Sequence, residues 1–206
     1  MGKNRLEAFS DGVIAIIITI MVLELKVPHG ADWATLQPLI PVLLSYILSF
    51  VMVAIYWNNH HHLLHSIRKV DGPSLWANMH LLFWLSLIPF VTGWMGENHF
   101  QTLPVALYGL VLFMCGVAYY ILTHVLMCHH GQESSLAQAL GKDHKGKISL
   151  VMYAVAMPLA FFYAWMAMLI YVAVALLWFV PDRRLEKVLR DTHDTHDTHE
   201  SDVSTS

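Results

Sequence analysis

Long apolar runs, separated by short charged segments, constrain this chain more than any other feature of its sequence. Hydrophobic residues make up 56% of the 206 residues and charged residues only 13%, whereas soluble proteins carry about 25% charged residues. An apolar run of about 20 residues is long enough to cross a lipid bilayer as a helix. The sequence therefore predicts an all-α transmembrane protein that passes through the bilayer several times.

Six membrane spans are predicted. The last apolar stretch, Ile148–Pro181, has 34 residues and would reach about 50 Å as one helix at 1.5 Å per residue. Because the hydrocarbon core is only about 30 Å thick, we expect two short spans joined by a tight turn near Phe161–Ala164, with Pro158 able to end or kink the first of them. The predicted spans are about 9–25, 36–57, 75–94, 103–126, 147–161 and 164–181.

The distribution of basic residues supports an even number of spans. Cytoplasmic loops collect Lys and Arg, and with six spans eleven of the 12 basic residues lie on one side, leaving only Lys26 on the other. Both termini are therefore expected in the cytoplasm. Residues 1–190 are predicted to form one six-span subunit. The Asp-Thr-His repeat in residues 191–206 has almost no apolar residue and is predicted to be a disordered cytoplasmic tail.

The first span carries two different kinds of residue on two faces. Ile16, Ile20 and Leu23 are three or four residues apart and share one helical face, with Phe9 one heptad before Ile16. Asp11 lies about 140° round the helix from Ile16. An apolar stripe is typical of lipid contact or ordinary packing as well as of a pore. An acid within a span usually faces protein or water, and Asp11, beside Ser10, could instead accept hydrogen bonds from first-turn amides as a helix cap.

Four segments of the chain resemble one family of membrane proteins. They are "RLEAFSDG" at the start of the first span, "YWNNHHHLLH" at the end of the second, "LWANMHLLFWLSLIPF" in the third, and "WFVPDRRLEKVL" after the sixth. The first contains the pattern R-x-x-x-F-S-D. Together they resemble the TMEM175 family of potassium-permeable channels, and the resemblance covers about residues 3 to 190.

The resemblance implies a homotetramer in which four first helices surround a central pore. Ile16, Ile20 and Leu23 would line the pore, with Ile16 forming the tightest ring. Thr19 would place a hydroxyl behind this constriction, although its hydroxyl could instead bond the carbonyl of Ala15. The resemblance also implies monovalent cations as permeant ions, K⁺ above all, with no cofactor, no bound metal, no catalysis and no nucleic-acid partner. The single-unit architecture resembles that of prokaryotic members, so a plasma membrane is expected.

Such a filter would differ from that of ordinary potassium channels. Those channels use backbone carbonyls of a T-V-G-Y-G loop, which the sequence lacks. A narrow isoleucine ring blocks flow by dewetting and passes hydrated ions when it is wider. Glu24 could attract cations to the outer mouth by its field, or it could be an ordinary interfacial charge.

The family resemblance assigns a structural role to the polar residues at the cytoplasmic end. They are expected to form a network between helices that fixes the position of the first helix, since buried polar groups need partners. The expected members are Arg5, Phe9, Ser10, Asp11, Trp57, His60 and His61.

Two other functions remain open from the sequence. His60, His61, His62 and His65 crowd into six positions, and histidines at such spacing can bind zinc or haem, as a metal-dependent membrane oxidoreductase would require. A cation or proton transporter is the other alternative. Transporters often have broken helices near mid-membrane, for which Pro158 is the only candidate here.

Overall fold

The computed structural model describes residues 2–65, 67, 70–130 and 144–179. All regular structure in these ranges is helical, which confirms the predicted all-α class. The helices are α1 (Lys3–Leu23), α2 (Trp33–Leu36), α3 (Ile40–His65), α4 (Gly72–Ser86), α5 (Ile88–Glu97), α6 (Thr102–His130), α7 (His144–Ala160) and α8 (Ala164–Phe179). The Asp-Thr-His tail predicted at 191–206 lies outside the described residues.

The eight helices form six rods. A 3₁₀ turn, Gln37–Leu39, joins α2 to α3, and α4 is separated from α5 only by Leu87. Pro89, which has no N–H to donate, stands at the start of α5, where such a donor has no partner within the helix. Helix α8 is apolar but short. Among the described residues, four of these rods are long and apolar enough to cross a membrane: Lys3–Leu23, Trp33–His65, Gly72–Glu97 and Thr102–Cys128.

The last apolar stretch is divided by a tight turn. Pro158 lies inside α7, which ends two residues later at Ala160. The backbone N–H of Tyr163 donates to the carbonyl of Leu159 at 2.8 Å, and α8 begins at Ala164. The turn therefore uses main-chain hydrogen bonds and needs no glycine at a left-handed position.

Helix α1 lies on one side of the bundle. It packs against α3, α4 and α5, whereas α6 packs against α4, α5, α7 and α8. The buried residues of α1 are spaced three or four apart and form one face; they are Leu6, Ser10, Ile14, Ile17 and Met21. Within the described ranges, no helix covers the opposite side of α1, where Ile16, Ile20 and Leu23 are exposed.

Candidate functional site

An uncovered apolar stripe runs along the outer side of α1. Its four members are one or two helical turns apart, and each is exposed although large and apolar: Phe9 (49% exposed), Ile16 (59%), Ile20 (42%) and Leu23 (74%). A continuous exposed apolar surface marks a site of contact with membrane lipid or with another protein chain. We refer to these four side chains as the α1 stripe.

Thr19 lies beside the α1 stripe and is exposed as well. Its hydroxyl donates to the carbonyl of Ala15 at 2.8 Å. A hydroxyl that donates one hydrogen bond still has two acceptor lone pairs. The bond along the helix therefore leaves the Thr19 oxygen able to accept from water or to face a cation.

On another face, the first part of α1 is joined to the end of α3 by three polar contacts. Lys3 Nζ donates to the carbonyl of His65 at 2.8 Å. Glu7 Oε1 lies 3.2 Å from His61 Nδ1. Asp11 Oδ1 accepts from Trp57 Nε1 at 3.0 Å.

The spacing of these contacts explains how two antiparallel helices meet. On α1 the residues advance by four, and on α3 their partners retreat by four, so each contact is one helical turn from the next. We call this set of six residues the polar ladder. Its three members on α3 also stack: the ring centroids of Trp57 and His61 are 5.8 Å apart, and those of His61 and His65 are 6.1 Å apart.

A second set of polar side chains is buried between α1, α3 and α4. The Ser10 hydroxyl donates to the carbonyl of Leu6 at 2.8 Å and accepts from Asn78 Nδ2 at 3.0 Å. The Oδ1 atom of Asn78 lies 2.7 Å from His60 Nε2. Ser10, Asn78 and His60 are almost completely inaccessible to solvent. This buried triad connects α1, α4 and α3, and among the described contacts it leaves only His60 Nδ1 without a partner.

The structure therefore arranges the expected polar residues in two sets rather than in one network. Ser10 and His60 belong to the buried triad, whereas Asp11, Trp57 and His61 belong to the polar ladder. The sequence interpretation did not include Lys3, Glu7 or Asn78 as members. The shared four-residue spacing of positions 3, 7 and 11 with positions 57, 61 and 65 is the signal that could have revealed the ladder.

Arg5 and Phe9 are placed apart from both sets. Arg5 is exposed, and its side chain makes no hydrogen bond or ion pair with Ser10 or Asp11 within the described structure. Six residues separate Arg5 from Asp11, which corresponds to about 240° of helical rotation. Arg5 and Phe9 therefore share the side of α1 that carries the α1 stripe, and within this subunit they lie apart from the other residues of the expected network.

Asp11 does not cap the helix. α1 begins at Lys3, and its N-cap residue Gly2 has no side chain that could accept a hydrogen bond. Asp11 lies in the third turn, beyond the free amides of the first turn, and its carboxylate bonds Trp57 instead. The capping alternative is therefore wrong.

The histidine cluster of α3 is divided between the two sets. His60 faces Asn78, and His61 faces Glu7. In the part of the chain that the structure describes, no group of three or more His, Cys, Asp or Glu residues is arranged to hold a metal ion.

Comparisons with known proteins agree with the motifs at the start of the chain. The sequence profile of the family described as "Endosomal/lysosomal potassium channel TMEM175" matches residues 5–89. A potassium channel of Chryseobacterium sp. (strain P1-3) is 54% identical over 191 residues, covering 93% of this chain and 100% of that protein. An endosomal/lysosomal proton channel TMEM175 of Bos taurus is 38% identical over 105 residues, covering 45% of this chain and 21% of that protein.

A solved structure has the same fold. It is the crystal structure of a lysosomal potassium-selective channel TMEM175 homolog from Chamaesiphon minutus, and it superposes with a TM-score of 0.77 at 26% sequence identity. The match covers 86% of this chain and 96% of that one.

Proposed function

Because the chain belongs to the TMEM175 family, we propose that it is the subunit of a potassium-permeable cation channel. The relatives described above are named as channels, and one is named as potassium-selective. This gives no support to a metal-dependent oxidoreductase, so we propose a channel rather than an enzyme or a transporter. We also propose that it is a multi-pass protein of a plasma membrane, for which the bacterial relative is the support. The distribution of Lys and Arg supports cytoplasmic positions for both termini.

The α1 stripe is the observation that carries this proposal. A single subunit covers one face of α1 and leaves Ile16, Ile20 and Leu23 exposed. Four subunits around an axis would bring four α1 stripes together and enclose a pore that no subunit forms alone. The ladder and the triad occupy other faces of α1, so they would hold the helix while the stripe remains free to face the axis.

Selectivity in such a pore would come from its width and from dipoles close to the constriction. Isoleucine and leucine side chains offer no ligand to an ion, so a narrow ring prevents conduction by excluding water. The exposed hydroxyl of Thr19 lies one turn from Ile16 and is the nearest polar side-chain group on the same side of α1.

Recording from the purified protein in planar bilayers tests the proposed function. Under a potassium/sodium gradient we expect single-channel steps, a linear current–voltage relation and a reversal potential displaced towards the potassium equilibrium. Flux that saturates and requires a proton gradient would instead identify a transporter. Cross-linking of the same preparation should stop at four subunits.

A further inference from the structure

An ion pair lies just beyond the end of α1 that is opposite the polar ladder. α1 ends at Leu23, and Lys26 follows three residues later. Lys26 Nζ donates to Glu97 Oε1 at 2.6 Å, and Glu97 is the last residue of α5. The two side chains are 74% and 51% exposed. Exposed ion pairs contribute little to stability. We therefore expect these two charges to act mainly through the electric field that they produce.

These charges lie close to the end of the α1 stripe. Three residues of extended chain span at most about 10 Å, so the Cα atom of Lys26 lies within that distance of the Cα atom of Leu23. The screening length of physiological salt is about 8 Å and rises to about 30 Å at 0.01 M. At low salt the field of Lys26 and Glu97 therefore reaches the mouth at the Leu23 end of the pore in the proposed function, whereas physiological salt screens much of it.

Glu24, Lys26 and Glu97 are three ionisable side chains at this end of α1. Glu24 is exposed, and its charge acts on Lys26 together with that of Glu97. The hydrogen bond from Lys26 to Glu97 raises the pKa of the lysine above its ordinary value, so Lys26 is charged at neutral pH. Glu24, Lys26 and Glu97 together carry one net negative charge per subunit.

We propose that Lys26 and Glu97 set the supply of cations to the Leu23 end of the pore, with Lys26 offsetting part of the negative charge of Glu24 and Glu97. The proposal rests on the proposed function, because it requires ions to enter along α1. A mouth with one negative charge per subunit concentrates monovalent cations without holding them. Lys26 lowers the local concentration of cations at the mouth. Glu97 raises this concentration and, through the ion pair, keeps Lys26 close to the mouth.

Two single substitutions separate this electrostatic role from a structural one, because both break the same ion pair. Lys26→Gln leaves two negative charges per subunit at the mouth, and Glu97→Gln leaves none. In a tetramer each substitution changes four charges, and one unit charge about 10 Å away changes the local cation concentration about twofold in water. At about 0.01 M potassium chloride we therefore expect Lys26→Gln to raise the unitary conductance several-fold and Glu97→Gln to lower it several-fold. A merely structural ion pair would give changes of the same sign.

The double variant and the salt concentration provide matched controls. Lys26→Gln combined with Glu97→Gln lacks the ion pair but keeps one net negative charge per subunit, so its conductance should return close to that of the unchanged protein. At about 1 M salt the screening length is about 3 Å, and all four proteins should conduct alike.

Three results would overturn the role of Lys26 and Glu97: single variants that shift in the same direction, a double variant that remains as altered as either single, or differences that persist at high salt. Each result presupposes normal current in the unchanged protein. Absence of current from the unchanged protein at every salt concentration would reject the proposed function itself, and with it this proposal.

Discussion

The indole Nε1 of Trp57 donates a hydrogen bond to Asp11 Oδ1 at 3.0 Å, across the interface of α3 and α1. This bond fixes one rotational setting of α1. Asp11 lies about 140° round the helix from Ile16, so fixing Asp11 against α3 turns Ile16 away from the bundle, where it is 59% exposed. The acid therefore positions the helix, and the isoleucine occupies the uncovered surface.

Replacing Asp11 should impair assembly more than selectivity. In Asp11→Ala the Trp57 indole loses its acceptor, and a hydrogen bond to a charged group contributes about 1.5–3 kcal/mol. We expect a smaller tetramer fraction in size-exclusion chromatography and a lower thermal midpoint. Asp11→Asn keeps an oxygen acceptor and is the matched control. A fully assembled Asp11→Ala channel whose only change is its potassium preference would contradict this role.

The middle contact of the polar ladder should matter less than the Asp11 contact. Glu7 and His61 side chains are 21% and 42% exposed, and such pairs contribute less than about 1 kcal/mol. Gln also keeps an oxygen that can accept a hydrogen bond from His61, so Glu7→Gln should lower the thermal midpoint less than Asp11→Ala does. Exchanging the two residues, with Glu7→His and His61→Glu together, should restore the loss seen in either single exchange. A loss for Glu7→Gln equal to that for Asp11→Ala would contradict the smaller contribution expected of the Glu7–His61 contact.

The buried triad should behave as a unit. Asn78→Leu removes a contact of both Ser10 and His60. Ser10 keeps its bond to Leu6, whereas the buried His60 ring loses its contact with Asn78, and a buried polar group left without a partner costs about 1–3 kcal/mol. Ser10→Ala removes only one of these bonds, so we expect it to be the milder substitution in thermal unfolding. The two substitutions together should cost less than their sum, because they share a contact. Strict additivity would argue against a connected triad.

The sequence predicts most of the architecture because apolar length and charge distribution are properties of single segments. It also indicates Trp57 as a partner for Asp11. It does not separate the ladder from the triad, since that division depends on how α1, α3 and α4 are rotated against one another. Asn78 shows this most clearly: it is one polar residue in an apolar helix, and only packing brings its amide between Ser10 and His60.

The expected role of Arg5 illustrates a different limit. Arg5 was expected to belong to the same polar network as Asp11, but helical rotation places the two on different faces of α1. The rotation is a property of the helix itself and could have been calculated beforehand. The start of α1 at Lys3 could not have been calculated in this way, because Gly2 has no side chain that could cap the helix.

Removing the hydroxyl of Thr19 tests whether a dipole near the constriction contributes to selectivity. Thr19→Val keeps the shape of the side chain but removes its oxygen, whereas Thr19→Ser keeps the oxygen. We expect Thr19→Val to lower the potassium-to-sodium permeability ratio several-fold with little loss of assembled protein, and Thr19→Ser to stay close to the unchanged channel. Equal ratios in all three proteins would restrict the Thr19 hydroxyl to its bond with Ala15.

The central claim is that the α1 stripe lines the pore, and the reversal potential of Ile16→Asn under a potassium/sodium gradient tests it most directly. A polar ring at the constriction removes the dewetting barrier, so we predict larger unitary current and a reversal potential displaced towards zero. Leu169→Asn on α8 is the matched control, because Leu169 is 58% exposed and Ile16 is 59% exposed, and it should leave both quantities unchanged. Conductance and reversal potential in Ile16→Asn equal to those of the unchanged channel would contradict the claim.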